Sequence, residues 1–343
     1  MNKIIKYSIY MGLAALLAAC AGTPESVPPP PWADNPETVF PGGKYIAVRG
    51  TSGSRETVNQ AALSALSAYF QVQVSNRTDI AELYTEEDGE ASQSLRFEQQ
   101  TLVRTETELF AVRYTDPWQN FAAGTWETIA YIDRNEAWTI FEPRLASGTA
   151  PFMEMFRVAE NDSEPLRRFF RYRAAWNFDP AALAAYLDFA QALNPGRAAA
   201  FSPARGAIAA LPRRMDQARF EASFYIDCPV DMDGVVEAAL AGVLSAEGFP
   251  VTKDRAAAGA VCLASVDEGL ERREGGTFYT PALTVNIQGK ADPLFSMNIQ
   301  APRQSATNPD IARRRAYAAL AGEIPAKFRS EFERQMTANN NAN

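Results

Sequence analysis

The 343-residue chain contains no histidine. This absence excludes catalytic units built on imidazole, such as the Ser-His-Asp triad and the Cys-His pair. It also excludes zinc, copper and non-haem iron sites that rely on histidine ligands. Any acid–base chemistry near neutral pH would therefore fall to carboxylates, lysine or tyrosine.

Positive charge is scarce relative to negative charge, because 33 Lys and Arg residues face 41 Asp and Glu residues and leave a net charge of −8. Phosphate binding rests on Lys and Arg, so we expect no nucleic-acid partner. Two short basic clusters, Arg313-Arg314-Arg315 and Arg272-Arg273, favour solvated surfaces, with an acidic partner as the alternative.

The N-terminal apolar run, Tyr7 to Leu17, is too short to span a membrane, which takes about 20 apolar residues. Lys3 and Lys6 precede the run, and Ala18 and Ala19 follow it. This order of a positive, an apolar and a small-residue region is typical of a signal peptide, which we place at residues 1–19.

The signal peptide leads into Leu17-Ala18-Ala19-Cys20, which resembles the lipobox of bacterial lipoproteins. In that family the chain is cut before the cysteine, which carries acyl groups such as palmitate. Each buried methylene contributes about 0.8 kcal/mol, so several acyl chains anchor a protein stably. Because Ala21 rather than Asp follows Cys20, the resemblance implies sorting to the outer membrane. An ordinary signal peptide with a chance cysteine is the alternative.

Residues 20–43 are rich in proline and include the run Pro28-Pro29-Pro30-Pro31. Such segments extend as polyproline II and act as semi-rigid spacers. We therefore expect a tether that holds the folded part away from the membrane. Trp32 lies inside this segment, and we expect it to pack on the first domain, with a partner contact as the alternative.

The rest of the chain predicts an α+β protein with two small α/β lobes joined by a helical insert. Each lobe is expected to hold a strand-helix-strand unit with further antiparallel strands. In the first lobe the expected elements are a strand over 45–50, an Ala-rich helix starting near Ser54, a strand over 71–74 and extended segments over 97–115 and 126–132.

The insert is expected to be helical, with a capping box at Asp133-Arg134-Asn135-Glu136 and an interruption at Pro143. In the second lobe we expect strands over 220–228, 249–253 and 261–266, a hairpin of 278–290 with 294–300, and helices over 231–248 and 308–336. The predicted domains are a signal peptide (1–19), a lipidated tether (20–43), a first domain (44–142), the insert (143–218), a second domain (219–336) and a disordered tail (337–343).

Three polar motifs have a structural explanation that we favour over a functional one. The loop over 50–54 could bind an anion at a helix N-terminus, but it lacks the Walker A lysine and favours a turn with a cap. Asp231-Met232-Asp233-Gly234 resembles part of a calcium loop, yet Pro229 and Leu240 would occupy ligand positions, so a helix cap is favoured. The acidic cluster Glu86-Glu87-Asp88 with Glu90 favours a solvated loop over a weak cation site.

Cys228 and Cys262 are the remaining thiols, and both fall in predicted strands of the second lobe. In an oxidising compartment they could form a disulfide. Two free buried cysteines are the alternative, because the sequence does not give the separation of their Cα atoms.

The first lobe resembles a known family. Tyr45 to Gly50, Ser54-Arg55-Glu56 with its Ala-rich helix, and Trp126 to Arg134 look like the LPP-twenty outer-membrane lipoprotein family. The domain of that family is similar to the N-terminal domain of the flagellar T-ring protein FlgT. The resemblance covers residues 45–142 only and implies a non-enzymatic envelope role, with no catalytic, cofactor or metal residues to carry over.

Taken with the lack of a catalytic constellation, these features predict a non-enzymatic lipoprotein without a cofactor. We expect it to be anchored in the outer membrane, to face the periplasm, and to act as a scaffold or assembly factor for other envelope proteins, such as flagellar or cell-wall machinery. The alternatives are a binding module or carrier for a small envelope ligand and a hydrolase that uses carboxylates alone.

Overall fold

The computed structural model describes residues 28–75, 112–274 and 276–341. These residues form helices and β-sheets, and the predicted α+β class is confirmed. They divide into two compact units. The first unit runs up to Glu142 and also takes in Asp188–Gly196, and the second contains Pro143–Leu187 and the chain from Arg197 onward.

The first unit is built around one sheet. Its strands are β1 (Tyr45–Ser52), β2 (Arg113–Tyr114), β3 (Trp118–Asn120) and β4 (Thr125–Asp133). The central strand is β4, which pairs antiparallel with each of the other three. The helices before and after β1 are α1 (Pro31–Asp34), α2 (Pro36–Val39) and α3 (Val58–Ser75).

Helix α3 packs on one face of this sheet. Its residues Val58, Ala62, Leu66 and Phe70 are all fully buried and recur every four positions, so they form one stripe along the helix. The helix comes very close to β1 at Gly50, because a Cβ atom there would lie 2.3 Å from the Ala62 backbone nitrogen. Only glycine allows this approach of helix to strand.

Two expectations for this region are wrong. The segment Gln71–Val74 is the end of α3 and not a strand, because the stripe that ends at Phe70 already sets a helical register and the alternating residues continue it. The helix begins at Val58 rather than near Ser54. The hydroxyl groups of Ser54 and Thr57 bond each other at 3.0 Å and close a turn before the helix starts.

Helix α4 (Arg134–Glu160) follows β4 directly and runs through Pro143 without the expected interruption. The Asp133 carboxylate accepts hydrogen bonds from the backbone nitrogens of Asn135, at 2.9 Å, and Glu136, at 3.2 Å, which confirms Asp133 as the cap. The reciprocal half of the predicted capping box is replaced, because the Glu136 carboxylate accepts from Arg113 Nη2 at 2.8 Å. The boundary between the two units falls inside this helix, after Glu142.

The helices that follow are α5 (Pro165–Trp176), α6 (Pro180–Leu193), α7 (Pro195–Ala198) with a 3-10 turn (Ala199–Phe201), and α8 (Ser202–Glu221). The region 143–218 is therefore helical, as expected. It does not form a separate insert, however. Except for Asp188–Gly196, which belong to the first unit, the region 143–218 is part of the same compact unit as the second lobe. Within it, α5 packs on α8.

The second unit also contains a five-stranded sheet with the order β11-β10-β7-β5-β6. Its strands are β5 (Phe224–Asp227), β6 (Val251–Thr252), β7 (Ala260–Asp267), β10 (Ala282–Gln288) and β11 (Pro293–Gln300). Strand β5 is parallel to β6 and β7, and α9 (Val235–Ala246) connects β5 to β6. The strand-helix-strand unit expected in this lobe is thus present.

One face of the five-stranded sheet is buried and the other is partly exposed. Along β10 the side chains of Leu283, Val285 and Ile287 are fully buried, and the residues between them are half-buried. The long helix α10 (Pro309–Asn341) contacts β11, α9 and α5. Around Phe249, rings from strand and helix meet at 5.1–6.5 Å between centroids: Phe169, Phe170, Phe224 and Phe332.

A small antiparallel sheet completes the unit, with β8 (Leu270–Arg273), β9 (Gly276–Tyr279) and β12 (Gln304–Ala306). The expected strand over 278–290 is therefore two strands in two different sheets. They separate at Pro281, which has no N–H group for a sheet hydrogen bond. The hairpin around Asp292-Pro293 is confirmed.

Two chain segments differ from expectation at their ends. Phe220 belongs to α8 and not to a strand, since β5 begins only at Phe224. The segment 337–341, expected to be disordered, continues α10. Buried Phe328, Phe332 and Met336 hold this helix against the fold at four-residue intervals up to its last turns.

Candidate functional site

The predicted anchor, Cys20 with Leu17, Ala18 and Ala19, lies outside the described residues. The acidic cluster at 86–90 lies outside them as well. Among the helices that the structure describes, none combines the length and the hydropathy needed to cross a bilayer.

The end of the proline-rich segment is folded onto the first unit. Trp32 is only 5% exposed and packs with Phe40 and Ile129. Its ring meets that of Trp118 edge to face, with 6.5 Å between centroids. The prediction that Trp32 packs on the first domain is confirmed. The segment 31–39 is consequently not an extended spacer, because it forms α1 and α2 on the face of the sheet opposite α3.

Polar groups fix this segment in place. The Arg49 guanidinium donates from Nη2 to the carbonyl oxygens of Trp32, at 3.2 Å, and Ala33. From Nη1 it donates to Glu127 Oε2 at 3.1 Å, and Asn120 donates to the other oxygen of Glu127 at 2.9 Å. Glu127 is buried, so this guanidinium satisfies a carboxylate of the sheet and two carbonyl groups of the segment together.

The favoured cap at Asp231 is present. Its carboxylate accepts hydrogen bonds from the backbone nitrogens of Val236 at 3.2 Å and Glu237 at 2.8 Å. Asp233 and Gly234 both have left-handed backbone angles, with φ of 58° and 69°, and turn the chain into α9. Within the described ranges, no group of three or more Cys, Asp or Glu residues is arranged to hold a metal ion.

Cys228 and Cys262 are free thiols in the structure, so the disulfide considered from the sequence is not formed. Cys262 pairs with Ile226 across β7 and β5, and Cys228 comes two residues later. Cys228 follows Asp227, the last residue of β5, and so lies just beyond the strand. Burial raises the pKa of both thiols to about 12, so both are unreactive near neutral pH.

The basic cluster on α10 is engaged within the chain. Arg313 Nε donates to Glu268 Oε1 at 2.6 Å, and Arg314 lies 3.5 Å from Asp233 Oδ2. Tyr317 donates to the same oxygen of Glu268 at 2.9 Å, and burial, followed by Glu268, raises the pKa of Tyr317 to about 12. The cluster therefore lies on the helix surface, as favoured from the sequence, but two of its arginines also form ion pairs within the chain.

Two buried carboxylates that we did not single out from the sequence organise the turn before α5. Asp162 bonds Arg167 Nε at 2.6 Å and Arg171 Nη1 at 3.0 Å. Glu164 accepts hydrogen bonds from the backbone nitrogens of Lys290 and Ala291, each at 2.9 Å. Glu164 thus joins the helical part of the second unit to the β10–β11 turn.

A polar cleft of about 350 Å³ lies in the second unit among α4, α5 and α8. Two ion pairs line it: Arg168 with Glu221, and Arg214 Nη2 with Glu160 Oε1 at 3.4 Å. Tyr172, which is 2% exposed as a residue, also lines the cleft. Its residues lie between positions 160 and 221 and come from separate helices, so no local motif reveals it.

The chain was also compared with known proteins. No family model matches it, and no curated protein matches it by sequence. Solved structures that resemble it include the secreted protein HP1454 from Helicobacter pylori, at 11% identity over 86% of this chain and 97% of that one, with a TM-score of 0.29.

Two bacterial lipoproteins are also among these structures. A minor lipoprotein from Acinetobacter baumannii is 14% identical over 35% of this chain and 94% of its own, with a TM-score of 0.22. Lipoprotein GNA1162 from Neisseria meningitidis is 14% identical over 31% of this chain and 99% of its own, with a TM-score of 0.21. Likenesses at these TM-scores do not establish a common fold or function.

Proposed function

We propose that this protein is a cell-envelope lipoprotein, acylated at Cys20 and anchored in the outer membrane with its folded units in the periplasm. The observation that carries the proposal is the sequence Leu17-Ala18-Ala19-Cys20 after a charged and an apolar region. The sequence after Cys20 agrees with an anchor, because Pro24 and the run Pro28 to Pro31 give it the composition of a semi-rigid spacer.

The anchor is tested by metabolic labelling with an alkyne analogue of palmitate. The wild-type protein and Cys228→Ser, a matched loss of another thiol, should both be labelled and sediment with membranes. Cys20→Ser should lose the label and become soluble in the periplasm. Undiminished labelling of Cys20→Ser would refute acylation at this residue.

Membrane sorting is tested separately. After separation of inner and outer membranes on a density gradient, the wild-type protein should be found with the outer membrane. Ala21→Asp should shift towards the inner membrane, as the lipobox resemblance implies, and Ala21→Ser is the control. Wild-type protein in the inner membrane would leave acylation intact but refute the outer-membrane assignment.

We further propose a non-enzymatic scaffold role, of the kind that the resemblance to the LPP-twenty and FlgT-like domains implies. One feature of the fold supports a protein-binding role. Phe220 is 74% exposed near the end of α8, and aromatic side chains are enriched at protein interfaces. At this exposure the ring contributes little to the packing of the fold, so Phe220→Ala is a variant that can test binding without unfolding the chain.

The scaffold role is tested by crosslinking in intact cells, followed by purification of the tagged protein. Phe220→Ala should reduce the amount of a specific crosslinked complex without lowering stability, and Phe178→Ala, which removes another exposed ring, is the matched control. If no envelope protein is recovered with the acylated wild-type protein, the scaffold proposal fails.

A further inference from the structure

The cleft of the second unit is lined by charged side chains of both signs and by Tyr172. Two guanidinium groups, of Arg168 and Arg214, and two carboxylates, of Glu160 and Glu221, leave its lining without net charge. A free anion would meet the two carboxylates, and a free cation would meet the two guanidinium groups. The lining therefore suits a ligand that carries both charges.

Tyr172 lines the same cleft as these four charged residues. All four charged residues act on its pKa, which burial raises first, so the hydroxyl is protonated near neutral pH and able to donate. Within the part of the chain that the structure describes, this hydroxyl is not one of the buried polar atoms that lack a hydrogen-bond partner, so its oxygen reaches solvent. The ring of Tyr172 is buried and the residue lines the cleft, so its hydroxyl can donate to a molecule bound there.

The two ion pairs are held differently. Gln217 donates to Glu221 Oε1 at 2.8 Å, and Arg168 also donates to the carbonyl oxygen of Asp162 at 3.3 Å, so the Arg168–Glu221 pair is braced. The Arg214–Glu160 pair is 3.4 Å long, and its side chains are 50% and 42% exposed. Exposed pairs of this kind contribute little to stability, so this one opens at little cost.

We propose that this cleft binds a small zwitterion, with the ligand carboxylate on Arg214 and the Tyr172 hydroxyl and the ligand ammonium on Glu160. The ligand then replaces one exposed ion pair by two and accepts a hydrogen bond from the Tyr172 hydroxyl in place of water. A volume of about 350 Å³ fits an amino acid or a dipeptide, at the lower end of the range for small-molecule sites. This inference is independent of the proposed anchor and scaffold roles.

The experiment is isothermal titration calorimetry on the full mature chain with L-alanyl-L-alanine as the probe, at up to about 10 mM for weak binding. The dipeptide should bind, whereas acetate, methylammonium and the uncharged N-acetylalanine methylamide should not bind at the same concentrations. No detectable binding of the dipeptide, or equal binding of the uncharged compound, would overturn the proposal.

Two variants locate the site. Tyr172→Phe keeps the buried ring and removes the hydroxyl, so affinity should fall about tenfold while circular dichroism stays unchanged. Arg214→Gln removes the carboxylate partner at an exposed position and should weaken binding at least as much. Tyr225→Phe, on β5 away from the cleft lining, is the control and should bind as the wild type does. Wild-type affinity in both Tyr172→Phe and Arg214→Gln would place any binding elsewhere and refute the assignment.

Discussion

Replacement of Gly50 by alanine tests how closely α3 lies on β1. The added Cβ atom would lie 2.3 Å from the Ala62 nitrogen and 2.4 Å from its Cα atom, where ordinary contacts begin at 3.4 Å. Helix and strand would have to separate by about 1 Å, because the obstacle is backbone and cannot rotate away. Overpacking usually costs about 1–3 kcal/mol, so we expect a loss of about 3 kcal/mol in the free energy of unfolding of the first unit.

The measurement is urea unfolding followed by tryptophan fluorescence. Four of the five tryptophans belong to the first unit, so the signal reports mainly on that unit: Trp32, Trp118, Trp126 and Trp138. The matched control is Gly53→Ala, because nothing lies within 4 Å of a Cβ atom at that position. The control should be neutral, or slightly more stable through reduced freedom of the unfolded chain.

Equal unfolding midpoints for Gly50→Ala and Gly53→Ala would refute the close packing of α3 on β1. A double variant, Gly50→Ala with Ala62→Gly, adds a finer check. It removes the Cβ contact but leaves the nitrogen and Cα atoms of residue 62 in place, so it should restore only a small part of the lost stability.

Three further predictions concern other contacts. Trp32→Ala should lower the free energy of unfolding by about 3 kcal/mol and make the segment 28–40 more susceptible to limited proteolysis. Unchanged cleavage would contradict the role of Trp32 in packing that segment on the first unit. Glu164→Gln should speed amide hydrogen exchange at the β10–β11 turn about tenfold or more, since one of the two bonded amides loses its acceptor; wild-type exchange would refute this. Cys228 and Cys262 should resist alkylation at pH 8 until the protein unfolds, and because burial raises their pKa from 9.0 to about 12, their stabilising effect should be complete below pH 9 and lost as the pH rises towards 12. Fast alkylation of the native protein would contradict the raised pKa of both thiols and the burial of Cys262.

Local signals predicted many elements well. Asp133 and Asp231 were identified as helix caps from their position before apolar-periodic segments, and both accept backbone hydrogen bonds as expected. The Gln71–Val74 strand was wrong because four alternating residues fit a helix end as well as a strand. The expected strand over 278–290 overlooked Pro281, whose missing N–H group ends one sheet before the next begins.

Some of the polar sites could be predicted from the sequence, and others could not. The lipobox-like sequence that ends at Cys20 and the acidic balance are properties of neighbouring residues and of composition, so the sequence alone is enough to recognise them. The cleft around Tyr172 was not foreseen, because its charged residues come from three helices and each looks like an ordinary surface residue in its own segment. From the sequence, packing of Trp32 on the first domain was favoured over a partner contact. The hydrogen bond from Arg49 to the carbonyl oxygen of Trp32 was not predicted.

The sequence by itself determined that histidine chemistry is excluded, that the chain is acidic, and that Cys20 follows a signal-peptide pattern. Only the tertiary structure decided that Trp32 packs on the sheet of the first unit, that Cys228 and Cys262 are free thiols, and that opposite charges line one cleft with Tyr172. The physical reason is distance along the chain. Composition and short motifs depend on neighbouring residues, whereas burial, strand register and ion pairing depend on residues that only folding brings together.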